Sequence, residues 1–257
     1  MIVRVAALGK EHWGRRSLCQ CLLAVALMMG VSLSLKAQVQ PLPPFAAGLE
    51  QWKPVSLDDQ VAPNMFLARP WDSRQAIEIQ SSNSMSLLAT EVVVDLVQTP
   101  YLCWLWRVDG ALKTADMQTK AGDDYAARLY LSVQLPPDQI GFGLRLQLGL
   151  ARAIWGDNVP DGAVNYVWDN THPIGHEQAN AYTDLARMIV LQTGNAQAGQ
   201  WVAQYRNVRD DIARLFGSDA KVVQVAITAD TDNTGESARA GFAGLQFADD
   251  PKQCSLE

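Results

Sequence analysis

Residues 101–108 read YLCWLWRV and residues 122–135 read GDDYAARLYLSVQL, and the reading of these two runs decides the fold. Both alternate with the two-residue period of an extended strand. Leu129, Leu131, Val133 and Leu135 fall on one face, opposite Arg128, Tyr130, Ser132 and Gln134. Gly122-Asp123-Asp124 is a turn signal between the runs, so the stretch is expected to form a hairpin-sized unit.

Outward from it the same alternation recurs. Leu144, Leu146, Leu148 and Leu150 oppose Arg145 and Gln147, and Val223, Val225 and Ile227 oppose Gln224 and Thr228. Strands are expected over 76–80, 86–96, 102–108, 127–135, 144–153, 164–168, 187–192, 200–208, 221–229 and 241–247, with turn signals between most of them. One helix is expected at Val208–Phe216: Asn207 caps it, Asp210 and Asp211 suit its first turn, and Gly217 ends it. Many short strands with one apolar face and a single short helix predict an all-β, antiparallel two-sheet β-sandwich of jelly-roll type.

The chain has 257 residues, 48% of them hydrophobic, which is enough for one sizeable core. Its net charge of −6 lacks the cationic footprint of a nucleic-acid binder. Arg4, Lys10, Arg15 and Arg16 precede an apolar run from Leu18 to about Leu35, and Ala37 follows. That order is expected of a signal peptide over residues 1–37, with a mature chain from Gln38 in the periplasm or outside the cell. An uncleaved anchor is the other reading, and no further membrane segment is expected. Removing residues 1–37 leaves 16 basic and 26 acidic residues, a net charge of −10. Residues 38–70 read as an extended, Pro-rich lead-in, 71–248 as the sandwich and 249–257 as a tail. Of the cysteines beyond residue 37, Cys103 reads as a buried thiol and Cys254 as a tail thiol, although export would permit a bridge.

The order WLWRV, GDDYAARLYLSV, NYVWDN, GQWVAQYRNVRDDIARLFG and ITADTDNTGESARAGFAGLQF resembles an exported bacterial family known as domain-of-unknown-function family 3047, over about Trp71 to Phe247. The resemblance implies an exported β-sandwich and no particular activity. Leu105 stands where a polar or basic residue is expected, and Asp169 where a small one is. The closing Asp/Asn turn and strand also resemble the last hairpin of galactose-binding-like sandwiches, a likeness of fold alone.

Several constellations carry candidate chemistry, each with a plainer reading. Trp104 and Trp106 share a strand face and can form a platform for sugar rings or pack as a core pair. Arg107, Arg128 and Arg145 fall on the polar parity of their strands with Tyr130. They would suit an anionic saccharide, or they pair internally with Asp109, Asp123 or Asp124. Asp123 and Asp124 are adjacent and point opposite ways if extended, which favours turn chemistry or a salt bridge to Arg128 over a shared acid/base site. Asp230, Asp232 and Asn233 put hard oxygens close together, either for Ca²⁺ or for an Asx turn. Arg206, with Asn207 and Asp210, can orient a ligand at the rim or serve in helix capping and an ion pair. His172 and His176 lie in a loop with Pro173 and Gly175, which excludes the helical zincin arrangement. No acid/base pair with suitable spacing emerges. The preferred function is therefore non-catalytic binding of a carbohydrate or other anionic ligand in the cell envelope. A polysaccharide hydrolase or lyase on the same scaffold and a structural or partner-binding envelope protein are the alternatives.

Overall fold

The computed structural model describes residues 39–155 and 159–254; the expected signal segment lies outside them. The strands are β1 (Val39–Pro41), β2 (Lys53–Val55), β3 (Met65–Trp71), β4 (Arg74–Ser82), β5 (Leu87–Glu91), β6 (Tyr101–Val108) and β7 (Tyr125–Gln134). Helix α1 (Phe142–Trp155) precedes β8 (Gly162–Asp169), β9 (Glu177–Ala179), β10 (Ala186–Thr193) and β11 (Val202–Asn207). Helix α2 (Val208–Phe216), β12 (Lys221–Asp230) and β13 (Ser237–Ala248) complete the order.

Two sheets form an all-β sandwich. The six-stranded sheet runs β11-β6-β13-β4-β3, with β1 also paired to β13, and the seven-stranded sheet runs β2-β5-β12-β7-β8-β10-β9. β6 and β7 therefore lie in different sheets and do not form the expected hairpin. The residues between them carry the chain from one layer to the other, so the inward sets of the two strands face each other. Trp104 stacks on Tyr166 of β8 at 5.6 Å, and Trp106 packs on Trp168 at 5.7 Å and on Phe242 at 6.2 Å. Both tryptophans are fully buried. They close the gap between the sheets and offer no platform to a ligand, because β6 is flanked on both edges and its inward face is sealed by β8.

Leu129, Leu131 and Val133 join the same core with Val164, Val225 and Ile227. On β12 a bulge between Val222 and Gln224 turns Val222 into the core and leaves Val223 only half-buried, which breaks the simple alternation at that point. Strands β8 and β10 run parallel, with Ala186 opposite Ala163, a departure from the purely antiparallel expectation. The stretch read as a lead-in supplies β1, β2 and β3, of which β3 pairs along its whole length with β4.

Helix α2 forms as expected, and Asn207 caps it by accepting from the Asp210 amide at 3.2 Å. The leucine run at 144–153 is a helix and not a strand, so the protein has two helices among the described residues. The reason lies in the residues. Leucine at every second position also places Leu144 with Leu148 and Leu146 with Leu150, the i, i+4 spacing of a helix. No β-branched residue stands between Phe142 and Ala153, and Leu, Arg, Gln and Ala favour helix.

A short 3-10 turn over Pro251–Cys254 folds the end of the described chain back onto β6, and Cys103 and Cys254 are joined in a disulfide with Cα atoms 5.2 Å apart. The two separate thiols expected from the sequence are one buried bridge on the outer face of the six-stranded sheet, beside Ala248 and Tyr101.

Candidate functional site

The outer face of the seven-stranded sheet carries a cleft of about 490 Å³. Its floor is made by the polar parity of β7 and the residues that flank that strand. Arg128 and Tyr130 project from β7, Asp123 comes from the turn before it, and Asp230 from the end of β12, where it pairs with Tyr125 in the ladder. Gly122 makes that turn possible: a Cβ there would meet the Asp116 backbone nitrogen at 2.6 Å. Asn180, Tyr182, Asp232 and Asn233 stand around the floor. Leu57, Val61, Val159, Pro160 and Leu185 build apolar walls, and Gln147 and Leu150 of α1 complete the rim.

Arg128 is buried. Its Nε donates to Asn165 Oδ1 at 2.8 Å and its Nη1 to Asp230 Oδ2 at 3.1 Å. Its guanidinium lies 5.6 Å from the Tyr125 ring centroid and 5.5 Å from that of Tyr130. Asp123 accepts from the Tyr125 hydroxyl at 2.8 Å and from Asn180 Nδ2 at 2.7 Å. Two buried atoms next to Arg128 lack a partner among the described residues: Asp230 Oδ1 has no N–H or hydroxyl donor, and Asn165 Nδ2 has no acceptor.

The acids outnumber the base, and burial shifts their protonation. Burial holds the Asp230 carboxyl well above its ordinary range, against the pull of Arg128, and a carboxyl–carboxyl hydrogen bond with Asp232 and the charge of Asp124 add to the rise. Burial also raises Asp123, again against Arg128. Burial works against the charge of Arg128, yet Asp123 and Asp230 hold its pKa above the usual value. The site is a desolvated cation enclosed by carboxyls of reduced acidity.

Asp124, Asp230 and Asp232 place carboxylate oxygens within 4.8 Å of one another. Asp124 is already occupied by the turn at 233–234. Its Oδ1 accepts from the Asn233 backbone and side-chain nitrogens at 3.2 Å each, and its Oδ2 from the Thr234 amide at 2.7 Å and hydroxyl at 2.6 Å. With Asp230 Oδ2 held by Arg128, this set is far from the six to eight free oxygens that Ca²⁺ takes.

The structure thus brings together Arg128, Tyr130, Asp230, Asp232 and Asn233, which the sequence had placed in two separate groups. It disperses the rest. Arg107 lies on the outer face of the other sheet, paired with Asp72 and stacked 4.5 Å from the Trp71 ring. Arg145, expected on a strand, is exposed on α1 and donates to the Pro137 carbonyl at 3.3 Å. Arg206 is held by Asp211 at 2.7 Å, not by Asp210, and Asp211 also accepts from the Tyr166 hydroxyl at 2.8 Å. The three arginines read as one anion-binding face share no face. His172 stacks on His176 at 4.7 Å in their loop, with Asp169 accepting from the His172 ring at 3.1 Å.

Sequence reasoning missed Asn165, Asn180 and Tyr182. Asn165 left a signal, as a lone amide inside the apolar run of β8. Asn180 and Tyr182 left none, because they reach the cleft through the connection that makes β8 and β10 parallel.

A family model described as protein of unknown function (DUF3047) matches residues 50–246. No curated protein matches the chain. Among solved structures, the xyloglucanase domain of NopAA, a type three effector from Sinorhizobium fredii in complex with cellobiose, is similar at a TM-score of 0.39 and 8% identity. The match covers 77% of this chain and 92% of that one.

Proposed function

The chain belongs to the DUF3047 family, and we propose that it is an exported binding protein that takes a neutral saccharide into the cleft on its seven-stranded sheet. The observation that carries this reading is Asp230 Oδ1, buried on the cleft floor with no N–H or hydroxyl donor among the described residues and only the Asp232 carboxyl beside it to share a proton. Leaving a buried acceptor unsatisfied costs about 1–3 kcal/mol, and a ligand hydroxyl is the neutral donor that would satisfy it. The charge balance favours a neutral ligand over the anionic one expected from sequence. Arg128 is engaged by Asp230 and Asn165, and Asp123 answers its charge as well, so a uronate would find no unanswered cation on the floor. Tyr130 and Tyr182 supply ring faces of the kind that pack against the C–H side of a sugar. Export is supported by the basic–apolar–Ala37 order of the sequence and by the Cys103–Cys254 bridge, a bond that persists in oxidising compartments.

A second reading, hydrolysis of the bound saccharide, has one observation in its favour: Asp123 and Asp230 line one cleft as a pair of buried carboxyls, both raised by burial, the setting in which a general acid is found.

The test is calorimetric titration of the mature protein with a panel of neutral and acidic oligosaccharides, with a reducing-end assay on the same mixtures. Binding of neutral glycans that weakens about tenfold or more in Asp230→Asn, which keeps the shape and removes the acceptor charge, is the expected result. Equal affinity in variant and wild type removes the site assignment. Product formation by wild type, lost in Asp230→Asn, moves the protein to the second reading.

A further inference from the structure

The apolar wall of the cleft does not stop at its mouth. Leu150 lines the cleft and is 63% exposed. Leu146, one helical turn earlier on α1, is 66% exposed, and Phe142, another turn back, is 85% exposed. These residues stand at i, i+4 and i+8, so they form one stripe on the face opposite the buried Leu148. Eight residues of helix span about 12 Å. The stripe is continuous with the cleft through Leu150, and α1 carries Arg145 and Arg152 but no acidic residue. A run of large apolar side chains left in water costs solubility unless something covers it. The cleft walls beside it are also largely apolar, from Leu57, Val61, Val159 and Pro160. A plain sugar would use only the polar floor and leave this track uncovered.

We infer that the ligand is an amphiphile, a saccharide head group carrying an alkyl chain, with the head on the Asp230–Arg128 floor and the chain running out past Leu150 along Leu146 and Phe142. The inference rests on the reading of the cleft as a saccharide site and deepens it. A second copy of the chain or a bilayer could also cover an apolar stripe. The track, however, begins inside the cleft wall and is one residue wide, which suits a single chain leaving the cleft and not a broad flat surface.

The experiment is a titration of the full mature protein with alkyl glucosides and maltosides of increasing chain length, all below their micellar concentrations, followed by calorimetry. A fully buried methylene is worth a factor of about four in affinity. A chain against one open helix face recovers only part of that, so the octyl compound is expected to bind at least about tenfold tighter than the methyl one. In the double variant Phe142→Ser/Leu146→Ser, at two exposed positions outside the cleft, the methyl glycoside is expected to bind as in wild type while the chain-length dependence flattens. No dependence on chain length in wild type, or a dependence that survives in the double variant, overturns the inference. So does a wild-type dimer that the double variant splits, because the stripe would then be an interface between copies. So does attachment of wild type to phosphatidylglycerol vesicles that the double variant loses while its chain-length dependence stays. A parallel series with a zwitterionic phosphocholine head separates the two readings. Chain-length dependence with that head but no binding of any glycoside would sink the saccharide reading and keep the alkyl track. Glycoside binding without chain-length dependence would do the reverse.

Discussion

The two outer faces of the sandwich both set arginine beside acid and aromatic side chains, but they resolve the charges in opposite ways. On the six-stranded sheet, Arg239, Arg107 and Arg69 gather about Trp71 at 4.0, 4.5 and 6.0 Å from its ring. Glu78, Asp72 and Asp109 answer them: Arg69 and Arg239 hold Glu78 at 2.6 and 2.8 Å, and Arg239 reaches Asp109 at 3.1 Å. Three bases meet three acids: Glu78 is buried between two of them, Arg107 is nearly buried with its Nε unpartnered among the described residues, and Asp72 and Asp109 stand about half in water. On the seven-stranded sheet one buried arginine faces a surplus of buried acid, with Asp230 Oδ1 left without an N–H or hydroxyl donor among the described residues. A ladder in which the charges balance, with two of its three acids reaching water, braces a sheet at little net cost. A dry surplus of carboxyls costs free energy that strand packing alone does not require, and such cost collects at sites that do something.

The comparison can be broken most directly at its two arginines. Arg128→Ala leaves Asp123 and Asp230 buried without their counter-charge and is expected to cost about 3–5 kcal/mol. Arg107→Ala gives up a ring contact and pairs with water-exposed partners, and is expected to cost about 1 kcal/mol. Urea unfolding of the two variants beside wild type measures both. Equal losses would mean that the two faces are braced alike and that the cleft floor is ordinary packing.

The next effect belongs to the braced face alone. The Cys103–Cys254 bridge closes a separation of 151 residues, and Cys254→Ser is expected to lower stability by about 2–4 kcal/mol while leaving ligand affinity in the cleft unchanged. A loss of affinity comparable to that in Asp230→Asn would show that the two faces are coupled through the core, and the distinction between them would narrow to one of degree.

How far the sequence could show this division depends on the reach of each signal. The paired sheets were legible because alternation is local: Leu129, Leu131 and Val133 need only their own strand to declare a buried face. The helix at 208–216 was legible because its cap and its terminal glycine sit within ten residues. The helix at 142–155 was misread because leucine every two residues satisfies both periods, and residue propensity was the better arbiter. The site was half legible. Arg128 and Tyr130 could be assigned to a polar face, and Asp230 to a turn. That the turn closes over the face depends on β12 pairing with β7, a contact across about a hundred residues that no local pattern carries. Arg107 and Arg128 each fall on the polar parity of their own strand, but a parity says nothing about which sheet a strand enters. The bridge was hidden for the same reason, since the chain must first complete β13 before Cys254 can return to β6.

The same division predicts opposite responses to pH. Asp230 has its folded pKa raised above the ordinary 3.8 because burial outweighs Arg128. The folded state therefore binds its proton more tightly, and stability is lost as pH rises from about that value upward. Glu78 is lowered from the ordinary 4.5, chiefly by the Arg239 hydrogen bond, so its contribution is present above that value and is lost as pH falls through the lowered one. Unfolding free energies measured between pH 3.5 and 7.5 should show Asp230→Asn gaining on wild type with rising pH. Glu78→Gln should lose ground to wild type over the same rise. Parallel curves for the two variants would remove the claim that one face carries surplus acid and the other a balanced set.

The smallest expected effect tests what the surplus is for. If the acids around Arg128 answered a bound cation, excess Ca²⁺ would raise the melting temperature and a chelator would lower it, because a ligand held only by the folded state must stabilise it. The geometry argues otherwise. Asp124 spends both oxygens on the Asn233 and Thr234 turn, and Arg128 stands 3.1 Å from Asp230 Oδ2, where a cation would have to approach. Of the three clustered carboxylates, that leaves Asp230 Oδ1 and the oxygens of Asp232, well short of a Ca²⁺ shell. Thermal melts in millimolar Ca²⁺ and in chelator are expected to coincide, while a bound glycoside raises the midpoint in both. A calcium-dependent rise of several degrees, abolished in Asp232→Asn, would show that the floor is neutralised by metal before any sugar arrives. Asp230 Oδ1 would then be a metal ligand and not the acceptor for a hydroxyl, and the contrast between the two faces would be one of metal against salt bridge.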